Sequence, residues 1–321
     1  MTGVAIDNRL AAAPPTDLAA EVREGLTRPL RELPPKLFYD STGSDLFDRI
    51  TELPEYYPTR CEREILEARA GDIVRDVEEL VELGSGSYAK ARVLLDTGAI
   101  RRYVPVDVSE SVVERSAVEL RRRYPGLEVH GLIGDFHRDL VHLPEGENRL
   151  FAFLGGTIGN LHRDERARFL SMLRELMGPE DRLLLGTDLV KDTAVLEAAY
   201  NDSQGVTAEF NRNALRVLNR ELDGDFDPER FDHVAFFDED EAWIEMRLRS
   251  REAQTARIER AGLEVELAPG EDIRTEISAK FTPETIEAAL AESGLELTEL
   301  WTDSGGRFAL SLSAPPARPG S

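Results

Sequence analysis

An acid and two glycines, Glu82, Gly84 and Gly86, are the residues of this sequence whose types and spacing best suit cofactor chemistry. They lie where an apolar run typical of a buried strand gives way to helical spacing. Glycines lack the Cβ atoms that would keep the backbone away from a ligand, so this pattern indicates a nucleotide-cofactor turn. Glu82 precedes the first glycine and suits a cofactor with a cationic amino-acid end. Asp107 follows Gly86 by about twenty residues, the distance at which the acidic end of a second strand meets ribose hydroxyls.

Two later segments favour S-adenosylmethionine as this cofactor. Asp135 and Phe136 follow the third predicted strand, and they offer an acid for an adenine amino group and an aromatic ring to stack on it. The fourth predicted strand, 150–154, continues into a polar segment at 155–160. A glycine turn, an acid, an Asp-Phe pair and a polar exit occur in this order in S-adenosylmethionine-dependent methyltransferases.

Two other classes of protein stay open at this point. Gly84, Gly86 and Ala89 also satisfy the G-x-G-x-x-A variant of the dinucleotide fingerprint, which would make the chain an oxidoreductase. A non-catalytic protein with the same fold could bind S-adenosylmethionine and a partner through its acidic surface. Nicotinamide binding would reveal the first alternative, and S-adenosylmethionine binding without turnover would reveal the second.

Three of the seven tyrosines, Tyr39, Tyr56 and Tyr57, lie close together before the glycine turn. Their segment has neither strand alternation nor long helical spacing. A cluster of phenols on loops fits a pocket for a polar small molecule. The alternative is that these rings pack the segment in place, with their hydroxyls bonded to the backbone.

Predicted strands and helices alternate from Cys61 to Asp188. This alternation indicates the units of a parallel sheet, which would position the cofactor residues. Helices are then expected at 195–210 and 212–219. From Phe231 the apolar residues alternate with a period of two, which predicts antiparallel hairpins with one buried face.

The cofactor fold resumes at Phe281. Thr282 and Pro283 are a typical N-cap and first helical residue, Gly294 ends that helix, and a closing hairpin with a reversed strand is expected from Leu295 onwards.

The predicted fold class is therefore α/β, a Rossmann-like class I methyltransferase sheet with an inserted α+β substrate-binding domain. The expected divisions are an S-adenosylmethionine-binding domain at 61–190 and 279–313, a substrate-binding domain at 16–60 and 191–278, and flexible termini at 1–15 and 314–321.

Composition limits the partners of the chain. Lys and Arg number 39 against 62 Asp and Glu, and the net charge of -23 would repel nucleic acid and anionic membranes. The single cysteine, Cys61, excludes an internal disulfide framework. We expect a cytoplasmic enzyme, because neither a signal peptide nor an apolar run of about eighteen residues is evident. We expect a monomer, since no coiled-coil seam is evident.

No metal site is expected. The five histidines lack metal-ligand spacing and are interpreted as structural or surface residues. They are His130, His137, His142, His162 and His233.

From Leu33 to Leu312 the chain resembles the histidine Nα-methyltransferases of ergothioneine biosynthesis. This family uses S-adenosylmethionine to convert L-histidine into trimethylhistidine (hercynine). The segments that carry the resemblance are LPPKLFYD at 33–40, LPEYYPTR at 53–60, GTDLVKD at 186–192, FNRN at 210–213 and EISAKF at 276–281.

The resemblance implies roles for residues that read the imidazole ring. Tyr56, Glu276 and Ser278 would hold the ring, with Glu276 accepting a proton from one ring nitrogen and Ser278 satisfying the other. Met246 would line the ring site, and Ile277 would belong to the same substrate-binding segment.

The resemblance also implies roles around the amino-acid end and the cofactor. Asn160 and Tyr200 would bind the α-carboxylate, and Tyr39 would approach the α-amine as the catalytic residue. The family's cofactor contacts match Gly84, Lys90, Asp107, Asp135 and Phe136. The chain departs from the family's usual pattern at Ser87-Tyr88-Ala89 and at Gly156.

The expected chemistry is an in-line displacement in which proximity and orientation are the protein's main contributions, without a metal. The acceptors would be L-histidine and its mono- and dimethyl forms, or tryptophan on a related scaffold. The α-amine must offer a lone pair, although model α-amines have a pKa of about 7.7 to 8.0 and are partly protonated at neutral pH. We hypothesise that desolvation favours the neutral amine and that Tyr39 accepts and orients its remaining hydrogen.

Overall fold

The computed structural model describes residues 4–10, 17–86, 88–136 and 138–317 of the chain. The chain divides into two compact units. The first unit comprises Met1–Pro14, Arg60–Leu189 and Phe281–Ser321, and the second comprises Pro15–Thr59 and Val190–Lys280. The second unit therefore interrupts the first along the sequence.

The described residues form fourteen strands and nine α-helices. The strands are β1 Val4–Asn8, β2 Arg31–Glu32, β3 Glu79–Leu83, β4 Arg102–Asp107, β5 Glu128–Ile133, β6 Arg149–Phe153, β7 Arg182–Asp188, β8 Phe231–Asp238, β9 Trp243–Ser250, β10 Gln254–Ile258, β11 Leu263–Leu267, β12 Asp272–Ala279, β13 Glu296–Thr302 and β14 Phe308–Ala314. The helices are α1 Leu18–Leu26, α2 Ser41–Glu52, α3 Pro58–Ile73, α4 Ala89–Leu95, α5 Glu110–Arg123, α6 Arg163–Leu176, α7 Thr193–Tyr200, α8 Val206–Leu222 and α9 Pro283–Glu292.

Eight strands of the first unit form one sheet in the order β1-β5-β4-β3-β6-β7-β14-β13. Neighbours from β1 to β7 are parallel, whereas β14 runs antiparallel to both β7 and β13. All five residues of β3 are buried, as expected for a strand covered on both faces. The predicted α/β fold, with a mostly parallel Rossmann-like sheet and a closing hairpin, is confirmed.

Local sequence explains where α9 begins and ends. The Thr282 hydroxyl accepts from the Thr285 N–H, and the Thr285 hydroxyl accepts from the Thr282 N–H in return. Pro283 occupies the first helical position, where its missing N–H costs nothing. Gly294 has a φ of +75°, which stops the helix as the sequence predicts.

The second unit contains a four-stranded sheet in the order β2-β12-β9-β8 and a separate hairpin of β10 and β11. β9 is antiparallel to both β8 and β12, and β2 pairs with β12 in parallel. The hairpins predicted from the period-two alternation are therefore confirmed. Helices complete the unit, and the rings of Phe38 and Phe210 stack with centroids 4.6 Å apart.

The expectation of a flexible amino-terminal arm is wrong for part of that segment. Val4–Asn8 forms β1 and pairs in parallel with Val129–Ile133 of β5. An edge strand carries unpaired N–H and C=O groups, and β1 satisfies those of β5. The expected flexible tail includes Ala314, which belongs to β14. Residues 1–3, 11–16 and 318–321 lie outside the described part of the chain.

The predicted helix boundaries in the second unit are also wrong. The segment expected as one helix at 195–210 contains the end of α7 at Tyr200 and the start of α8 at Val206. The Asp202 carboxylate accepts from the N–H groups of Val206 at 3.0 Å and Thr207 at 2.7 Å. A side chain that satisfies the free N–H groups of a helix start fixes that start.

No helix in the described part of the chain is long and apolar enough to cross a membrane.

Gly186→Ala should lower the free energy of unfolding by about 1–3 kcal/mol through overpacking. Gly186 lies in β7, where an added Cβ would clash with Glu62 Oε1 and lie 3.3 Å from the Phe308 ring. The matched control is Gly71→Ala in α3, where a Cβ meets no described atom within 4 Å. The control should gain up to about 1 kcal/mol. Urea denaturation measures both changes, and equal effects would contradict the tight contact between Glu62 and β7.

Candidate active site

The predicted cofactor turn joins the end of β3 to the start of α4. Gly84 and Gly86 have φ angles of +72° and +47°, a region that residues with a Cβ rarely adopt. A Cβ at either position would meet no described atom within 4 Å. The turn therefore leaves open space for a ligand next to its backbone. Ser87 lies outside the described residues.

Asp107 ends β4 and orients this turn. Its carboxylate accepts from the Gly86 N–H at 3.1 Å and from the Ser109 N–H at 2.9 Å. Burial raises the pKa of Asp107, and these backbone donors partly oppose the rise. Asp107, which the spacing predicts, therefore holds the glycine turn through a hydrogen bond from the Gly86 N–H.

Glu82 is buried beneath the turn. The residue is 3 % exposed, and its carboxylate accepts a hydrogen bond from the Tyr103 hydroxyl. Burial raises its pKa to about 7, and Lys90 acts in the opposite direction. The carboxylate therefore joins β3 to β4 through Tyr103, two residues before the turn.

The buried Glu62 links α4 to the segment after β6. Lys90 Nζ lies 2.6 Å from Glu62 Oε2, and Glu62 Oε1 accepts from the Gly155 N–H at 2.6 Å. Glu62 is 0 % exposed. Sequence reasoning missed Glu62, although it lies four residues before Leu66 on the apolar face of α3, where a carboxylate is unusual.

The Asp-Phe pair follows β5. The Phe136 ring packs edge-on against the rings of Phe153 at 5.3 Å and Phe169 at 5.7 Å. The Asp135 N–H donates to the Asp139 carboxylate at 2.8 Å. Asp135 and Phe136 both keep partial exposure.

The five predicted cofactor residues therefore lie at one edge of the sheet, which we call the donor edge. It consists of Gly84, Lys90, Asp107, Asp135 and Phe136, which follow or end the neighbouring strands β3, β4 and β5. In open α/β sheets, ligands bind at the carboxyl ends of the strands. Asn160 ends a short 3₁₀ helix after β6 in the same unit.

The predicted acceptor residues of the second unit also lie together. We call them the acceptor cluster: Tyr39, Tyr56, Tyr200, Met246, Glu276 and Ser278. The Tyr56 ring lies 6.3 Å from the Tyr200 ring, and the Tyr200 hydroxyl is 2.7 Å from Ser278 Oγ. Phe47 lies between Tyr56 at 6.1 Å and Tyr39 at 6.5 Å. Sequence reasoning missed Phe47, because nothing local distinguishes it from a core residue.

Glu276 and Ser278 lie two residues apart on β12 and so point to one face. Met246 of β9 is directly opposite Glu276, which places its side chain on that face. Ile277 alternates to the other face and is 4 % exposed. The side chain of Ile277 therefore does not join those of its two neighbours.

Glu276 carries an unusual carboxyl group. Part of the residue stays accessible to water, but burial of the carboxyl raises its pKa to about 7. Lys280 acts in the opposite direction, by attraction to the ionised form. Near neutral pH this group can exchange a proton with a bound partner of similar pKa.

His233 has a structural role in the second unit. Its Nδ1 lies 2.9 Å from the Asn211 amide nitrogen, and its Nε2 lies 2.8 Å from the Tyr200 carbonyl oxygen. An amide nitrogen can only donate, so Nε2 carries the proton and donates to that carbonyl. Within the described residues, no three His, Cys, Asp or Glu side chains are grouped to hold a metal ion. His137 lies outside those residues.

Comparison with known proteins assigns the family. Residues 18–315 match the family model of the histidine-specific, S-adenosylmethionine-dependent methyltransferases. The chain belongs to this family. Its methyl donor is therefore S-adenosylmethionine. The donor edge fits this group, because the two glycines leave a space that a Cβ would narrow and the acid of β4 faces the turn.

Three relatives of this histidine-specific methyltransferase carry functional names. A histidine N-alpha-methyltransferase of Mycolicibacterium smegmatis is 50% identical over 97% of this chain and 99% of its own length. Ergothioneine biosynthesis protein 1 of Neurospora crassa is 33% identical over 88% of this chain but only 33% of its own length. An L-tryptophan methyltransferase of Psilocybe serbica is 27% identical over 91% of both chains.

The stability of this histidine-specific methyltransferase should depend on the Glu276 proton. The pKa of Glu276 is about 7 in the folded protein against an ordinary value of 4.5, so the folded state holds the proton more tightly. The contribution of Glu276 to stability therefore falls as pH rises from about 4.5 to about 7 and is constant above that range. The glutamine side chain in Glu276→Gln cannot ionise, so this variant lacks the contribution of the Glu276 titration.

We expect the free energy of unfolding of the wild type, minus that of Glu276→Gln, to fall by roughly 3 kcal/mol across this range. Urea denaturation of both proteins at several pH values measures the difference. Glu82 is present in both proteins, so its own titration cancels. A difference that does not change with pH would mean that the Glu276 carboxyl is hydrated.

Proposed function

We propose that this methyltransferase transfers three methyl groups in succession from S-adenosylmethionine to the α-nitrogen of L-histidine. The product would be trimethylhistidine, for ergothioneine biosynthesis. The observation that carries the proposal is the pairing of Glu276 and Ser278 on one face of β12, beside Tyr200 and Met246. The 50% identity to the Mycolicibacterium smegmatis enzyme over nearly the whole chain supports it. The cytoplasmic location and the monomeric state stay predictions.

Recognition of the ring rests on the chemistry of Glu276 and Ser278. A neutral imidazole has one N–H and one nitrogen lone pair, and a carboxylate and a hydroxyl match these two groups. Tyr56 and Met246 add an aromatic edge and a polarisable apolar surface. An amino acid with an apolar ring would offer neither the N–H nor the lone pair that Glu276 and Ser278 match, so it should bind less tightly than histidine.

The amino-acid end requires different residues. Tyr39 is 49 % exposed, so the residue can be reached by a substrate. S-adenosylmethionine supplies a methyl group on a positively charged sulfonium, and the protein supplies orientation and an environment that favours the neutral amine. Tyr39 would accept and orient the remaining amine hydrogen. Tyr200 and Asn160 stay predicted ligands of the α-carboxylate, and Tyr200 also contacts Ser278.

The proposal predicts that purified protein incubated with S-adenosylmethionine and L-histidine yields products with one, two and three added methyl groups. Mass spectrometry with fragmentation shows the number of methyl groups and their position on the α-nitrogen. Methylation of a ring nitrogen, or S-adenosylmethionine binding without any product, would contradict the proposal. Turnover of L-tryptophan in preference to L-histidine would favour the other acceptor.

Glu276→Ala tests acceptor choice in the same assay. This change should lower kcat/KM for L-histidine, because the carboxyl partner of the ring is lost. The kcat/KM for L-tryptophan and for L-phenylalanine should rise relative to that for L-histidine. An unchanged order of preference would exclude Glu276 from ring recognition.

Tyr39→Phe should lower kcat roughly tenfold to a hundredfold, since the hydroxyl that orients the amine is lost while the ring contact with Phe47 is kept. The measurement is the rate of each methyl addition over a series of pH values. Tyr124→Phe is the control, because Tyr124 follows α5 in the first unit and its hydroxyl donates to Asp96 at the end of α4. If no rate changes at any pH in Tyr39→Phe, the assigned role is wrong.

A further inference from the structure

Glu62 is a buried carboxylate whose two oxygens contact two different elements of the first unit. It lies on α3 and is 0 % exposed. Its Oε2 lies 2.6 Å from Lys90 Nζ on α4, and its Oε1 accepts from the Gly155 N–H at 2.6 Å in the segment after β6. One side chain therefore joins three parts of the chain that are distant in sequence.

Lys90, the charged partner of Glu62, is not enclosed to the same degree. The Lys90 side chain is 34 % exposed, whereas that of Glu62 is 1 % exposed. An ammonium has three donors and no acceptor, so it can bind a second anion while it keeps Glu62 as a partner. A ligand can therefore reach Lys90, but not the carboxylate behind it.

The absence of a side chain at Gly155 makes room for the Lys90 ammonium. A Cβ at Gly155 would lie 2.8 Å from Lys90 Nζ, and the φ of +83° is one that residues with a side chain rarely adopt. Gly155 follows β6, which is the neighbour of β3 in the sheet. The ammonium thus lies at the carboxyl ends of the parallel strands, where open α/β sheets bind ligands.

Stability alone does not account for this pair. A buried ion pair is weak evidence for stability, because the cost of removing both charges from water can exceed their attraction. Apolar side chains between α3 and α4 would join these helices at a lower cost. The pair instead includes Lys90, one of the five residues of the donor edge, which indicates a role in binding the methyl donor.

The methyl donor offers one anionic group, the α-carboxylate of its methionine part. A lysine has a flexible stem that loses freedom when its ammonium binds a ligand, and this loss is smaller if the ammonium is already fixed. We propose that Glu62 is a positioning residue that holds the Lys90 ammonium for the α-carboxylate of S-adenosylmethionine. The donor edge would then recognise the amino-acid end of its cofactor through Lys90.

This inference rests on the donor half of the proposed function and on the predicted cofactor role of Lys90. It is independent of the identity of the acceptor. The Glu62 charge itself has two opposed effects on the donor, since the amino-acid end carries an ammonium beside its carboxylate. A buried anion attracts the first group and repels the second. We therefore expect the placement of Lys90, more than the charge of Glu62, to set the affinity.

The test compares two ligands that differ at the amino-acid end. S-adenosylhomocysteine has this end, whereas methylthioadenosine keeps the adenosine and the thioether sulfur but lacks it. In Glu62→Gln, titration calorimetry should show S-adenosylhomocysteine binding weakened roughly threefold to tenfold, because an amide does not hold the ammonium. Methylthioadenosine has no carboxylate for Lys90, so its affinity should equal that for the wild type. Weak binding of this ligand is measured by competition against S-adenosylhomocysteine.

A double-mutant cycle with Lys90→Met shows whether Glu62 acts through Lys90. Methionine keeps an unbranched side chain without the ammonium, so the ligand carboxylate has lost this partner whether or not Glu62 is present. Glu62→Gln should therefore weaken S-adenosylhomocysteine binding in the wild type and cause no further loss in Lys90→Met. Two residues that contribute a single interaction give such non-additive effects.

Glu79→Gln is the matched control. Glu79 is another buried carboxylate of the first sheet, at 2 % exposed, and accepts from Arg102 Nε at 2.6 Å. It begins β3, whereas the glycine turn follows the other end of that strand. This variant should bind both ligands as tightly as the wild type, although its melting temperature should fall.

A thermal melt shows whether the variants are folded. If Glu62→Gln is not, Glu62→Asp replaces it, because the shorter carboxylate cannot reach both of its partners and should cause the same selective loss. Lys90→Gln replaces Lys90→Met on the same criterion.

Four results would overturn the inference. They are equal losses for the two ligands, unchanged or tighter binding of S-adenosylhomocysteine in Glu62→Gln, additive losses in the cycle, and the same selective loss in Glu79→Gln. Failure of the proposed function gives a different result, because the wild type would then bind S-adenosylhomocysteine without methylating L-histidine.

Discussion

The pairing of β12 with β9 is the interaction on which the acceptor cluster depends. It sets Met246 opposite Glu276, and strand alternation then brings Ser278 to the same face. The register shifts between Arg274 and Glu276, where the Thr275 hydroxyl donates to the Met246 carbonyl at 3.0 Å. A slip of one residue would turn the side chains of Glu276 and Ser278 to the opposite face of the sheet. The acceptor chemistry is therefore a property of strand register as much as of residue type.

Buried charge is the second recurring feature of this molecule. Glu82 and Glu276 each lie where burial raises the carboxyl pKa to about 7, one under the glycine turn and one in the acceptor cluster. Glu62 is enclosed as well, and its partners are Lys90 and a backbone N–H. Buried carboxyls reduce folding stability unless they are paired, and they are typical of functional sites. The position of Glu82 before the glycine turn suits the cationic methyl donor of this family.

Local patterns in the sequence predict the parts of the site that local structure creates. Gly84 and Asp107 could be found because strand periodicity and spacing alone define a glycine turn and the acid that follows it. The resemblance to a known family supplied the residues of the acceptor cluster. Glu62 was missed although a carboxylate is unusual on the apolar face of α3, and its partners Lys90 and Gly155 could not be predicted because they are distant in sequence. Asp202 was missed for a similar reason, because its capping role requires the helix break that it creates.

The order of strands has a consequence for the nascent chain on the ribosome. β14 lies between β7 and β13 in the first sheet, although it is synthesised after all other strands. Val190–Lys280, the longer of the two segments of the second unit, is translated between β7 and its antiparallel neighbour. Until β14 leaves the exit tunnel, one side of β7 lacks its native backbone partner. The inserted unit can fold during this interval, and completion of the interrupted sheet is a late event of biosynthesis.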